Sequence, residues 1–590
     1  MARAERWQRM KPVIDPRAGD VEDDASSPKN RSLLALAGTL LSEISLPKLV
    51  AAWLLMLIGP ALVLGLSPLI ASAWVAKISG NIGSPYFGLW PIFLIVLLLA
   101  IGWFGGRPLL RLIERSFWTL NSLVLEPLYA IARGGLQYLI EELLPERSSK
   151  LRRGRWRAAS AGLAGIAICA CALWVLLLAW PSSRWMGTVS DLSSPLQLAS
   201  AALANAVALL AFYLAGAALV WGIADAAMSA PRDFHDFRAA SEAGRRWRVA
   251  HLSDLHTVGE RYGFRIESGR SGPRGNERIK QVFRELHAID AKSPLDVILI
   301  TGDMTDAGRS AEWAELLDTL ALHPGLAERM LMLPGNHDLN VVDRANPARL
   351  DLPTSPSKRL RQLRVLSAME AIQGHRVRVV DHGAGRLGPT LADIVEPHRS
   401  KIVEFADTGR LLQSMKLADL WARIFPLVLP PQTEDGLGIM LLNSNAETHF
   451  SFTNALGLIS SEQAKGIEIA IAQYPHARWL IALHHHPVEY PRPTNALSER
   501  IGTTLINGSW FVRRLRPSAG RLVLMHGHRH VDWIGECGGV LIISAPSPVM
   551  SATDDLASYF YIQTFTDGPH GRLRILAPER VTIERQPQGA

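Results

Sequence analysis

Five apolar runs in the second half of the chain each end in aspartate, asparagine or histidine. Residues 248–253 lead to Asp254 and His256, and residues 296–301 to Asp303. Residues 330–333 lead to Asn336, His337 and Asp338. Residues 478–483 lead to His484, His485 and His486, and residues 521–525 to His526, His528 and His530. Carboxylate, imidazole and amide donors without thiolate suit Mn, Fe, Zn, Ni or Mg, and disfavour soft-metal and iron–sulfur sites. The spacing Asp254-x-His256, repeated as His528-x-His530, lets two side chains of one loop turn to one ion. Asp303 has two oxygens and could bridge two ions. A neutral ligand such as Asn336 keeps the negative charge down, which matters if the substrate is an anion.

Short apolar runs closed by polar clusters read as strands. Layered α/β folds place ligand chemistry at the carboxyl ends of such strands. Helical patterns at 276–289 and 311–322 fall between the first runs, and a further strand is predicted at 438–445. Taken singly, each of these residues could be an ordinary polar turn residue. The ordered ensemble is what points to a metal site.

That ensemble (Asp254-x-His256, Gly302-Asp303, Gly335-Asn336-His337-Asp338, the histidines before Pro487, and Gly527-His528-x-His530) resembles the calcineurin-like metallophosphoesterase superfamily over about residues 247–550. The stretch 301–308 is most similar to the class III cyclic-nucleotide phosphodiesterase branch. The resemblance implies an α/β fold, a four-layer α/β/β/α metallophosphoesterase sandwich, holding two divalent metal ions. By motif position, Asp254, His256 and His530 would hold the first metal. Asn336, His485 and His528 would hold the second, and Asp303 would bridge. His485 is chosen because the family ligand sits two residues before the proline and strand neighbours face opposite ways. His484 and His486 are then packing or supporting groups, and His526 is structural. His251 and Asp306 stand at supporting positions, and Asp338 would orient His337 or cap a helix. A hydroxide held between the metals would attack phosphorus. His337, the catalytic candidate, would bind a phosphate oxygen or protonate the leaving group. No substrate-binding residue is marked. His485 lies 149 positions after Asn336, so residues 345–430 are expected to form a cap over or beside the metals. Arg359, Arg361 and Arg364 within it could meet a phosphate or form a solvated helix face.

The chain as a whole has 590 residues, 48% of them hydrophobic and 20% charged, which excludes a disordered protein. Three cysteines exclude a disulfide scaffold or a cysteine-rich zinc module. Charge is unevenly spread. Lys77 is the only charged residue between Lys48 and Arg107, and Arg184 and Asp191 are the only ones between Arg157 and Asp225. Runs at 49–76, 87–104, 158–180 and 198–224 are long enough to span a bilayer or nearly so and lack a polar face. An all-α membrane domain of four transmembrane helices is therefore expected over 49–228. It would follow a cytoplasmic tail at 1–48 and precede a linker at 229–246 and a phosphoesterase domain at 247–590. Lys and Arg concentrate in 1–48, in 105–157 and after the fourth run, which places both termini in the cytoplasm. A bacterial source would make this the inner membrane. The 105–157 loop shows an amphipathic stripe at 109–120, broken by Pro127 and by Gly134 and Gly135. It would lie on the inner leaflet or pack on the soluble domain. No run contains Asp, Glu, Lys, Arg or His, so the spans read as an anchor rather than an ion pathway.

The leading expectation is a membrane-anchored, dinuclear metal-dependent phosphohydrolase. Its phosphate-ester substrate would be lipid-linked, favoured by the tether, or cyclic-nucleotide-like. A nuclease could use the same metals but needs a groove of basic and aromatic residues, and 247–590 holds no concentrated stripe of them. The net charge of +8 fits membrane topology better than a nucleic-acid partner. A non-enzymatic membrane sensor or scaffold has no need of a complete hydrolytic set.

Overall fold

The structure is a computed structural model that describes residues 11–22, 59, 62–76, 125–145, 150–188, 194–237, 245–262, 275–343, 349, 351, 356–448, 451, 454–491, 505–550 and 557–583. It divides into two compact units, one of residues 1–46, 229–494 and 502–590, the other of 47–228 and 495–501.

The first unit contains two mixed sheets. In chain order the strands are β1 (Arg232–Asp233), β2 (Arg246–Leu252), β3 (Val297–Ile300), β4 (Met330–Met332), β5 (Arg378–Asp381), β6 (Arg386–Thr390), β7 (Leu427–Leu429), β8 (Leu437–Leu441), β9 (Arg478–Ala482), β10 (Leu522–His526), β11 (Trp533–Cys537), β12 (Val540–Ser544), β13 (Ser558–Asp567), β14 (Leu573–Ile575) and β15 (Glu579–Ile583). One sheet runs β14-β13-β2-β3-β4, with β15 on β13. The other runs β1-β11-β12-β10-β9-β8-β7-β5-β6. β2, β3 and β4 are parallel, as are β8, β9, β10 and β12. Parallel strands buried on both faces read as continuous apolar runs, which is the pattern of Ile298-Leu299-Ile300 and Leu480-Ile481-Ala482. A single cluster of buried side chains draws on both sheets, from Val249, Ile298 and Leu331 to Leu441, Leu480 and Val523. The mixed α/β sheets fit the metallophosphoesterase architecture.

The strands expected at 248–253, 296–301, 330–333, 438–445, 478–483 and 521–525 all form, within a few residues of those bounds at either end. Two expectations about the flanking segments differ. The insertion expected at 345–430 builds into the fold in its described residues. Its strands β7, β5 and β6 extend the nine-stranded sheet, and its helix Ser357–Gln373 is buried nearly all round. That helix covers the edge of β4. The Gln373 amide donates to the Met332 carbonyl at 3.0 Å and accepts from the Met332 N–H at 2.7 Å. An edge strand needs such cover for its unpaired backbone groups. Helices Arg399–Thr408 and Leu411–Arg423 are separated at Gly409, which takes a left-handed turn at φ 60°. The second difference is at the chain's start. Residues 11–22, expected within a cytoplasmic tail, fold into this unit, with Val13, Ile14 and Val21 in its core. The linker expected at 229–246 also contributes a strand, since β1 pairs with β11.

The second unit is helical in its described residues: Leu62–Ala76, Glu126–Leu143, Lys150–Ala179 and Pro195–Ala226. Two of these, at 152–182 and 195–226, are long and apolar enough to cross a membrane, and they contain the runs expected at 158–180 and 198–224. The first expected run is described only over 62–76. The run at 87–104 and the stripe at 109–120 lie outside the described residues, so four spans are not shown. Gly134 and Gly135 do not break the helix Glu126–Leu143. The two long helices approach closely at Gly165 and Gly222, where a Cβ on Gly165 would stand 2.6 Å from the Ala218 carbonyl oxygen.

Candidate metal centre

All five motif loops leave the carboxyl ends of parallel strands, β2, β3 and β4 in one sheet and β9 and β10 in the other. The loops are stitched to one another by backbone. The Asp254 N–H donates to the Gly302 carbonyl, the His256 N–H to the Asp303 carbonyl (both 3.0 Å), and the Gly527 N–H to the His484 carbonyl (3.1 Å). Among the described residues, the non-glycine positions with positive φ are Asp254 (57°), His256 (46°), Asp303 (51°), His528 (76°) and His530 (52°). The left-handed region is costly for residues with a Cβ, and such strain collects at functional sites. Here it falls on five of the seven residues expected to bind metal.

Neighbouring donor groups result. Asp254, His256 and His530 offer ligand atoms within 4.8 Å of one another, as do Asp303, His484 and His528, and a third set, His256, Asp306 and His337, shares His256 with the first. Asp303 Oδ2 lies 3.9 Å from His256 Nε2 and 3.3 Å from His484 Nε2, so it faces both. Asn336 Oδ1 joins the second cluster, 3.1 Å from His484 Nε2, and His528 Nδ1 is 3.1 Å from the same nitrogen. The fit to a divalent cation rests on these hard oxygen and imidazole donors and on the space around them. Asp254 Oδ1 is buried without a hydrogen bond, and His530 Nε2 stands 3.4 Å from it. Gly335 and Gly527 keep room for the carboxylates. A Cβ on Gly527 would stand 2.7 Å from Asp254 Oδ2, and one on Gly335 would strike Asp303.

His485, the expected ligand, lies beside these donors, its ring centroid 4.6 Å from that of His528. Its Nδ1 pairs with Ser444 Oγ at 2.9 Å, its Nε2 is buried without a hydrogen bond, and burial holds it well below the usual imidazole range. His484, expected as a packing or supporting group, also stands among the donors. The Thr301 carbonyl accepts from its Nδ1 at 2.8 Å, which leaves Nε2 towards Asn336 and Asp303. β9 ends at Ala482, so face alternation does not extend through the histidines.

The electrostatics match a cation site. Although burial opposes it, Asp303 pushes His484 up to about 9. Burial likewise opposes the shift at Asp254, yet His530 holds its carboxyl below the usual range. Metal ligation needs the neutral ring, so a cation would take the place of the His484 proton. Asp338 caps the turn Asn336–Leu339, accepting from the Gly335 N–H at 2.9 Å. It also accepts from the Thr305 N–H at 2.9 Å and the Thr305 hydroxyl at 2.6 Å. It thus ties the Asn336 loop to the Asp303 loop, and its carboxyl is pushed up to about 6 by burial and by Asp303. His337 donates its backbone N–H to Asp303 Oδ1 at 2.8 Å, and its ring Nδ1 meets the Asp306 carbonyl at 2.7 Å. Asp306 also approaches His256, Oδ1 to Nδ1 at 4.0 Å. His251 pairs with the Thr301 hydroxyl at 3.1 Å, and His526 is buried at the end of β10. Arg361 and Arg364 of the insertion are buried in ion pairs with acidic side chains, and Arg359 bonds Gln362, so none of the three is placed at the ligands.

Residues 248–532 match the family model of the calcineurin-like phosphoesterases. This part of the chain is therefore a calcineurin-like phosphoesterase domain, a hydrolase of phosphoester bonds built around a dinuclear divalent metal centre. No curated protein matches the chain. Among solved structures it is similar to a dimetal phosphatase from Danio rerio, at 12% identity and TM-score 0.32, covering 57% of this chain and 99% of that one. It is also similar to the NAD nucleotidase of Haemophilus influenzae, at 11% identity and TM-score 0.29, covering 58% of this chain and 56% of that one. The purple acid phosphatase PPD1 of yellow lupin gives 11% identity and TM-score 0.25, covering 57% and 50%. The chain spans about half the length of the latter two.

Proposed function

We propose that the protein is a membrane-anchored phosphohydrolase acting on a lipid-linked phosphate ester. Asp254, His256 and His530 would hold one ion and Asn336, His484 and His528 the other, with Asp303 facing both. The observation that carries the reading is the coincidence of strained left-handed backbone with the donor residues. Two divalent ions bound there would lower the pKa of a water and neutralise phosphate charge. His337 is held by a carbonyl that can only accept. Its Nδ1 therefore carries the hydrogen, and Nε2 is the nitrogen that exchanges a proton with the leaving group. The cluster is most open to solvent at His337, His528 and His530, which is where substrate would enter.

The anchor is supported by the second unit's surface. Trp174, Leu177 and Leu178 on one long helix and Phe212, Val220 and Ile223 on the other are all more than half exposed. Contiguous apolar exposure of this kind marks a membrane or an interface. The test uses full-length protein with Mn²⁺ and bis-p-nitrophenyl phosphate, with and without Asp303→Ala. Turnover should vanish in the variant and with chelator, and equal rates would end the hydrolase assignment of this site. A phospholipid-monoester substrate should be cleaved much faster by protein in vesicles than in detergent. A cyclic nucleotide cleaved equally well in both would replace the lipid substrate with a soluble one.

A further inference from the structure

Residues 11–22 precede the entire helical unit in sequence yet belong to the phosphoesterase unit. The segment is bonded along its length. The Ile14 N–H donates to Ser367 Oγ at 2.7 Å and the Val21 N–H to the Ala406 carbonyl at 2.9 Å. At its end, Arg364 grips Asp20 with both prongs, Nε to Oδ2 at 2.7 Å and Nη2 to Oδ1 at 2.5 Å. Both side chains are at most 1% exposed. Glu22 accepts from Arg364 at 2.7 Å and lies 3.6 Å from Arg361.

The two arginines continue to the ligand loops. Arg364 Nη1 donates to the Gly308 carbonyl at 2.8 Å, and Ser310 Oγ donates to Asp20 at 3.1 Å. These contacts fix the end of the loop that carries Asp303. Arg361 Nε donates to the Leu339 carbonyl at 2.9 Å, at the end of the turn carrying Asn336 and His337. Gly308, at φ 70°, fits between them, and a Cβ there would come within 2.8 Å of Arg361 Cδ.

We propose that this N-terminal arm is a working part of the metal site. Asp20 and Glu22, acting through Arg364 and Arg361, are positioning residues that hold the two ligand loops in register, and tight metal loading depends on them. The proposal rests on the metal reading of the site given above. Outer partners that orient ligands typically alter metal affinity by about 10–100-fold, and breaking a buried charge pair leaves an uncompensated charge in the core.

The test measures Mn²⁺ binding by isothermal titration, with metal content by mass spectrometry, on the full-length protein. The variants are Asp20→Asn, Arg364→Lys and a control, Arg17→Ala. Arg17 lies in the same arm but pairs with Asp318, away from both loops. Asp20→Asn and Arg364→Lys should weaken Mn²⁺ binding by about 10–100-fold, while Arg17→Ala binds as the wild type does. Wild-type affinity in both variants, even with lowered melting temperatures, would overturn the proposal and leave the arm a purely structural segment. A wild type that binds no Mn²⁺ would instead sink the metal reading itself. If Asp20→Asn does not fold, Glu22→Gln replaces it, because Glu22 is a quarter exposed. Unchanged affinity there overturns the proposal equally.

Discussion

Replacing His528 by glycine and by alanine separates backbone strain from ligand chemistry. Both variants lose the imidazole and its 3.1 Å contact with His484, so they differ only by one Cβ at a residue with φ 76°. Steric cost of a Cβ in the left-handed region is about 1–2 kcal/mol. Glycine's extra chain entropy costs about 0.5–1 kcal/mol. At the middle of both ranges the glycine variant is more stable by about 0.75 kcal/mol. At Glu285, exposed in the helix Glu277–Lys292, only the entropy acts, and glycine should be less stable than alanine by about 1 kcal/mol. The sign therefore reverses between the two positions. Urea unfolding of the full-length variants with chelator present, followed by tryptophan fluorescence, reads the difference. Alanine equal to or better than glycine at 528 would show that the ligand loop is not held left-handed, and the strain argument would fall with it.

His484→Ala should reduce bound Mn²⁺ from two ions to one per chain, whereas His485→Ala keeps two and loses only stability through its buried packing. Mass-spectrometric metal counts with the reverse order would restore His485 as the ligand. Glu312, buried and facing Asp306, is pushed up to about 8 while accepting the Ala307 and Arg309 N–H groups. Its folded value exceeds the ordinary 4.5, so its neutral form is favoured in the fold. The resulting stability is full below about pH 4.5 and is lost as pH rises through about 8. Glu312→Gln should flatten that decline in melting temperature across pH 5–8, and parallel curves for the two proteins would contradict it.

The parallel strands and the donors at their ends were legible because each is local. A run such as 296–301 announces a buried strand, and the residue types behind it announce the metal. The place of His484 beside Asp303 was not legible. It turns on the Thr301 carbonyl, a partner 183 residues away. The burial of the insertion's arginines was not legible for a related reason. Arg361 and Arg364 look like a solvated basic stripe until Asp20, Glu22 and Asp351 are folded against them. Those partners are up to 344 positions distant, and nothing near the arginines in sequence signals that they are coming. The described helices of the second unit match their apolar runs, since hydropathy over a long segment is again a local property.

The docked arm also constrains the order in which the chain is put together. Residues 11–22 and the phosphoesterase strands belong to one folded body although 47–228 lie between them in sequence. Biosynthesis inherits an order from this: Asp20 and Arg364 are 344 positions apart, so their pair closes only after both long helices have been made.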